Sequence, residues 1–412
     1  MLRPISAGIY LLAVFSLAAA SYTSLRLARA DAAFWNGTQA SLSHAIQLAP
    51  ENAEYPARLA SLLEAQGHSA EARRSLDRAA ALNPYDSQIR IALGLLSESQ
   101  GEFKQAERYL SQAAEVDRRY DPRWVLVNFY YRRGDADHFW LWARNAAAIA
   151  YDDDNLQGLF RLCWAVRNDG NFILDTVVPE QASVEARYLS FLLGRGQLTD
   201  ATPVAQRLMA HAGPGQSAVL LEYCERLLRA GRVEEAIGIW NALSSRTLIR
   251  HPALAPDKGL SLTNGDFAAP LLKCCFDWRI ADSPEIAFTQ PADPLRLELR
   301  FSGRQPEALD LLTQDAPVNP SGAYRFEFEY RTAGIGFNTG VRWAISDATS
   351  GADLGSSLSL APAEGWTTAK LRFRTPPTSR LARLQFSYRR QPGTVRIAGS
   401  FQLRNLVLRP DR

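Results

Sequence analysis

AEYPARLASLLEAQGHSAEARRSLDRAAALNPYD (residues 53–86) and SQIRIALGLLSESQGEFKQAERYLSQAAEVDRRY (residues 87–120) are both 34 residues long and align without a gap. Leu59 and Ala60 of the first fall on Leu93 and Gly94 of the second. Ala72, Leu76 and Ala79 fall on Ala106, Leu110 and Ala113. A further shift from Asp121 puts Val127, Asn128 and Ala147 on matching positions. Each copy has apolar residues at i, i+3, i+4 and i+7, then a glycine turn (Gln66-Gly67, Gln100-Gly101, Arg133-Gly134), then a second amphipathic run. That pattern spells two helices per copy. A single helical hairpin cannot bury its own apolar face, so the copies must stack.

With Trp124 and Tyr131 in the third copy and Pro84 closing the first, these residues resemble the tetratricopeptide pattern. Leu42, Ala45 and Pro50 supply the second helix of an incomplete first repeat. The match fades over Asn155–Gln181 and returns at Tyr188, Leu192 and Ala201, and again from Leu220 through Gly231 to Leu243. The resemblance implies a concave groove lined by the first helix of each pair. Mapped here, the groove runs from Glu54, Ser61 and Glu64, through Ile91, Leu95 and Glu98, to Val125, Phe129, Arg132 and Arg133. Leu95, Glu98, Phe129, Arg132 and Arg133 are the expected partner-binding residues, with the arginine forks pairing carboxylates. Trp140, Trp142 and Trp164 read as core.

Ahead of the repeats, Arg3 precedes a charge-free run from Pro4 to Leu25, followed by Arg26 and Arg29. Ala18 and Ala20 form an A-x-A arrangement, as a cleaved signal would. The run is also about long enough to span a ~30 Å hydrocarbon core. The anchor is the preferred reading, with helix continuing from Leu25 to Trp35. Either reading exports the body of the protein.

After His251-Pro252 the texture changes to alternation with a period of two: Leu295–Phe301, Tyr324–Tyr330, Val341–Ile345, Leu371–Phe373, Leu384–Tyr388 and Phe401–Leu408. Short alternating runs bounded by Gly, Pro and Asn are antiparallel strands of a sandwich. Asn264-Gly265-Asp266-Phe267, Phe276-Asp277-Trp278, the strand from Gly322, Trp366 and the closing strand resemble a galactose-binding-like jelly roll, as in many carbohydrate-binding modules. The resemblance implies candidate sugar contacts at Trp278 and Trp366; Trp343 alternates with Val341 and Ile345 and reads as core. It also implies a structural calcium near the last strand, but Arg404 and Asn405 stand where its aspartate would be.

The expected fold class is therefore multidomain α + β. A signal anchor or signal peptide covers residues 1–30, a tetratricopeptide α-solenoid 31–250, a linker 251–259, and a β-sandwich jelly roll 260–412. A net charge of +3, from 46 basic and 43 acidic residues, argues against a nucleic-acid partner. No nucleotide-binding, metalloprotease or serine-hydrolase motif is present, so no enzyme, cofactor or metal is expected. Asp152-Asp153-Asp154 reads as a capping turn. Asp266 and Asp277 read as turn and core groups, not as a glycosidase pair. Cys163 and Cys224 read as small core residues, and the adjacent Cys274 and Cys275 as buried or intermolecularly paired. The expected function is a scaffold at the bacterial inner membrane with its body in the periplasm. Such a chain resembles envelope proteins associated with exopolysaccharide assembly, and it would hold a protein partner in its groove. The alternative is a carbohydrate-binding protein with the repeats as spacer, periplasmic or secreted.

Overall fold

The computed structural model describes residues 4–150, 152–293 and 295–411; Arg3 lies outside them. The chain divides into two compact units, one ending at Val184 and the other Glu185–Arg412.

The first unit is helical. Helix α1 (Pro4–Asn36) runs without a break from the apolar segment into the repeats, as the absence of a break residue predicts. It pairs with α2 (Gln39–Leu48) and so supplies the first helix of the incomplete repeat. Ala30 and Ala33 of α1 are buried with Ala45, Ile46 and Tyr55, while Leu11, Phe15 and Leu17 are exposed. The pairs α3 (Glu54–Ala65) with α4 (Ser69–Leu82), α5 (Ser87–Ser99) with α6 (Phe103–Val116) and α7 (Tyr120–Arg133) with α8 (Ala136–Ala147) follow, each packed on the next. Gly67 and Gly101 take positive φ at the turn after the first helix of their pairs, where a side chain would be strained. Gly94 serves close approach: a Cβ there would stand 2.5 Å from Leu110 Cδ2 on the paired helix. Asp152 caps α9 (Asp153–Val166), its carboxylate accepting from Asn155 N at 2.7 Å. The fading of the repeat pattern has a structural counterpart, because α10 (Gly170–Thr176) is only two turns long.

The second unit holds all but the first three residues of α11 (Ala182–Gly194), with α12 (Leu198–His211), α13 (Ser217–Arg229), α14 (Val233–Ser245) and, among the described residues, ten strands. The strands are β1 (Arg279–Ile280), β2 (Ile286–Thr289), β3 (Leu297–Ser302), β4 (Ala308–Pro317), β5 (Ala323–Ala333), β6 (Val341–Asp347), β7 (Asp353–Ser356), β8 (Thr367–Arg374), β9 (Leu381–Arg389) and β10 (Ala398–Pro410). They form two antiparallel sheets, in the orders β1-β4-β9-β6-β7 and β2-β3-β10-β5-β8. Along β5, Tyr324, Phe326, Phe328 and Tyr330 are buried and alternate with Arg325, Glu327, Glu329 and Arg331. Trp278, Trp343, Phe386 and Phe401 fill the space between the sheets. β4 carries no period-two signal because its second half, from Leu311 on, is buried on both faces.

Residues 251–259, expected as a linker, are packed against α14. Trp240 Nε1 donates to Pro252 O at 3.0 Å, and Asn241 exchanges hydrogen bonds with Leu254 at 2.8 and 2.6 Å. His251 is buried, 3.2 Å from the buried Asp277 carboxylate.

Candidate partner groove and sandwich face

The first helices of successive pairs in the first unit line a groove of about 930 Å³. Glu54, Arg58 and Ser61 of α3 form one wall, and Ile91, Ala92 and Leu95 of α5 the other. Ile91 is buried as floor, whereas Leu95 is 40% exposed. One turn on, Glu98 meets Arg132 of α7: Nε and Nη2 donate to the two carboxylate oxygens at 2.8 and 2.7 Å. That fork is the bidentate geometry of strong guanidinium–carboxylate pairs.

Two expected groove residues lie elsewhere. Phe129 is buried, its ring edge-on to Tyr130 at 5.2 Å. Leu126, Val127, Phe129 and Tyr130 are all buried, so α7 is covered over a wide arc and the position is core. Arg133 leaves the concave side, with its guanidinium 3.7 Å from the ring centroid of Phe103 on α6. Leu95 lines the groove. Arg132 already holds a carboxylate, so its fork is not vacant for a ligand.

On the sandwich, Trp278 is fully buried, and its indole N–H donates to Asn264 O at 3.2 Å. This removes it as a sugar platform and leaves it a core residue. Trp366 is half-buried on the outer face of the sheet containing β5 and β10. The Arg404 guanidinium lies 4.0 Å from its ring centroid, with Arg331 at 5.6 Å. Glu329 accepts from Arg404 Nε at 2.7 Å and from Asn405 Nδ2 at 3.2 Å. The Arg404 bond dominates over burial and, with Asn405, holds the Glu329 carboxyl below its ordinary range. Arg404 and Asn405 therefore serve Glu329 and Trp366. A β10 bulge between Arg404 and Val407 sets this arrangement, with Asn405 at positive φ.

The segment before β1 organises the end of the sandwich. Asn264 bonds Ala269 through both amide atoms, at 2.9 and 3.0 Å, and Asp266 caps its own turn through Ala268 N at 3.2 Å. Asp277 accepts from Leu272 N at 2.5 Å. Both carboxylates thus take the turn and core roles expected of them. Gln314 of β4 donates to Thr263 O and Phe276 O at 3.0 and 2.9 Å, pinning the segment to the sheet.

Local pattern gives no sign of the next contact. Phe276 packs edge-on against Trp240 of α14, with centroids 5.7 Å apart. Glu225 of α13 accepts from Cys275 N at 2.7 Å and from Arg279 Nη2 at 2.9 Å. Burial pushes Glu225 up, but the Arg279 charge, the Cys275 N–H and Arg229 outweigh it and hold the carboxyl below its ordinary range.

Residues 65–127 match a family model described as tetratricopeptide repeat. No curated protein matches the chain. Among solved structures, "CBM4 structure and function" aligns at 13% identity and TM-score 0.28, over 37% of this chain and 100% of that one. The enzymatically active domain of tailspike protein 4 from bacteriophage CBA120 aligns at 16% identity and TM-score 0.28, over 38% of this chain and 22% of that one. MamA aligns at 14% identity and TM-score 0.25, over 42% of this chain and 85% of that one. The 34-residue period, the stacked helix pairs and the family match over residues 65–127 show tetratricopeptide repeats in the first unit, and an antiparallel β-sandwich follows later in the chain.

Proposed function

We infer that the chain is a non-enzymatic scaffold of the bacterial cell envelope, holding a protein partner in the groove of its first unit. The observation that carries this is Leu95, exposed above the buried Ile91 in a concavity walled by two successive repeats. An accessible apolar side chain in a concavity offers a partner surface to bury, and taking apolar surface out of water favours association. Helix α1 is long and apolar enough to cross a membrane, and its exposed Leu11, Phe15 and Leu17 suit lipid. On this reading the scaffold works on the periplasmic side of the inner membrane, in exopolysaccharide or envelope assembly. Leu95→Glu, compared with the unaltered chain in pull-downs from detergent-solubilised envelope, tests the groove. Loss of a specific partner is expected, and unchanged capture of every partner would sink the reading.

A second reading rests on Trp366, whose half-exposed ring sits among Arg331, Arg404 and Glu329. An aromatic face beside charged hydrogen-bonding groups suits a saccharide. Affinity electrophoresis in envelope polysaccharide, with Trp366→Ala as control, decides it: retardation abolished by the substitution supports sugar binding, and none in either chain removes it.

A further inference from the structure

Leu221, Cys224 and Glu225 lie on one face of α13, spaced three and four residues apart. Cys275 is anchored to the two residues flanking Cys224 on that face. Its backbone N–H donates to Glu225 Oε2 at 2.7 Å, and its thiol donates to Leu221 O at 3.1 Å. Its carbonyl accepts from Arg279 Nη2 at 3.0 Å. The Cys275 side chain is thereby aimed at the face of α13 that carries Cys224, whose own thiol donates to Ala236 O at 3.4 Å. Both Cys224 and Cys275 are fully buried, while Cys274 is partly exposed. Lys273 and Cys275 both take positive φ, at 61° and 54°, a strained backbone that the Glu225 and Arg279 bonds hold in place. Among the described residues no His, Cys, Asp and Glu are grouped to hold a metal ion, so the juxtaposition is one of thiols alone.

We propose that Cys224 and Cys275 form a disulfide that staples the last helix pair to the β-sandwich. The reaction is thiol–disulfide exchange. One cysteine thiolate attacks the disulfide of an oxidant, such as oxidised glutathione or a dithiol oxidoreductase, and expels one thiol. The other thiolate then attacks the protein sulfur of that mixed disulfide and expels the second thiol. Two protons and two electrons leave the cysteine pair, and the oxidant disulfide becomes two thiols. The Cys275 thiol and burial push Cys274 above the ordinary thiol range, and the Cys224 thiol and burial push Cys275 above it against the opposing effect of Cys274. A thiol held protonated is a slow nucleophile, so the bond must be installed while the chain folds. In the cell its persistence rests on the exported location proposed above; in a test tube it does not.

The test is to refold the full-length chain, solubilised in detergent, in a mixture of reduced and oxidised glutathione. Free thiols are blocked with N-ethylmaleimide under denaturing conditions, and peptides are mapped without reduction. Two of the four cysteines should escape the maleimide, and the peptide holding Cys224 should be joined to the one holding Cys274 and Cys275. The cross-link should persist in Cys274→Ser, which assigns it to Cys275. The oxidised chain should melt about 5 °C above the reduced one, a gap absent in Cys224→Ser. Alkylation of all four thiols, a bond confined to Cys274 and Cys275, or a bond between two chains would each overturn the proposal.

Discussion

Arg132 on α7 grips Glu98 on α5 through two hydrogen bonds, and the two residues stand 34 positions apart, one repeat period. The pair is a register mark: it forms only if consecutive helix pairs stack with equivalent faces aligned. It is also half in water, Arg132 being 47% exposed against 14% for Glu98. Solvent screening limits such a pair to about 0.5–1 kcal/mol of coupling. A double-mutant cycle with Arg132→Ala and Glu98→Ala, read by urea unfolding, should return that magnitude at low salt. At 1 M salt it should shrink. Coupling above ~2 kcal/mol would mean the pair is drier than the exposures show.

Trp278 and Trp366 should separate cleanly. Trp278 lies between the sheets, its ring 6.0 Å from that of Trp343. Trp278→Ala removes a large buried ring and should cost ~3–5 kcal/mol, the usual penalty for that change in a core. Trp366→Ala loses a partly solvated ring and its arginine contacts and should cost about 1 kcal/mol or less. Chemical denaturation of the two variants checks this. Equal losses would put Trp366 into the core and remove the surface on which sugar binding depends.

Periodicity made the architecture legible. The 34-residue repeat located α3 to α8, and strict alternation found β3, β5, β6, β8, β9 and β10 to within a few residues. β4 escaped because much of it is buried on both faces and so does not alternate. Phe129 was misplaced because repeat position alone cannot say how wide an arc of a helix its neighbours cover. Arg133 was misplaced because a long flexible side chain can turn from its backbone position to an aromatic face, here Phe103. The contacts of Cys275 with Leu221, and of Arg279 with Glu225, join residues about fifty positions apart through tertiary packing. No local pattern encodes them.

The apolar helix should be separable from the repeats, but only up to a point. Residues from Arg26 on are already tertiary structure: Arg26 pairs with Glu51 at 3.0 Å, Asp31 accepts from the Tyr55 hydroxyl, and Phe34 packs on the Tyr55 ring. Burial and the neighbouring Asp31 carboxylate push the Tyr55 phenol up to about 12. Removing residues 1–24 should move the chain from the detergent to the aqueous phase and leave its melting unchanged. Removing residues 1–37 should destabilise the first unit by at least ~2 kcal/mol, through the lost burial around Phe34 and Ala33. Equal melting of the two truncations would show that α1 contributes nothing to the repeats.

The Glu225–Arg279 pair predicts how the second unit responds to acid. Its folded carboxyl titrates below the ordinary glutamate value of about 4.3, so the folded state favours the ionised form more than the unfolded chain does. The stabilisation is fully present above that ordinary value and is lost as pH falls through the lower, folded one. Glu225→Gln should therefore cost about 2 kcal/mol at pH 7, the worth of hydrogen bonds to a charged group, and progressively less below pH ~4. Glu329 and Asp347 are also held below their ordinary range, so the unaltered protein loses stability in acid for several reasons. Only the difference between the two chains, followed by thermal melts from pH 7 to pH 3, isolates Glu225. A difference that stays constant across that range would mean that Glu225 acts through packing and its neutral hydrogen bonds, and that its charge does not hold the sandwich to the last helix pair.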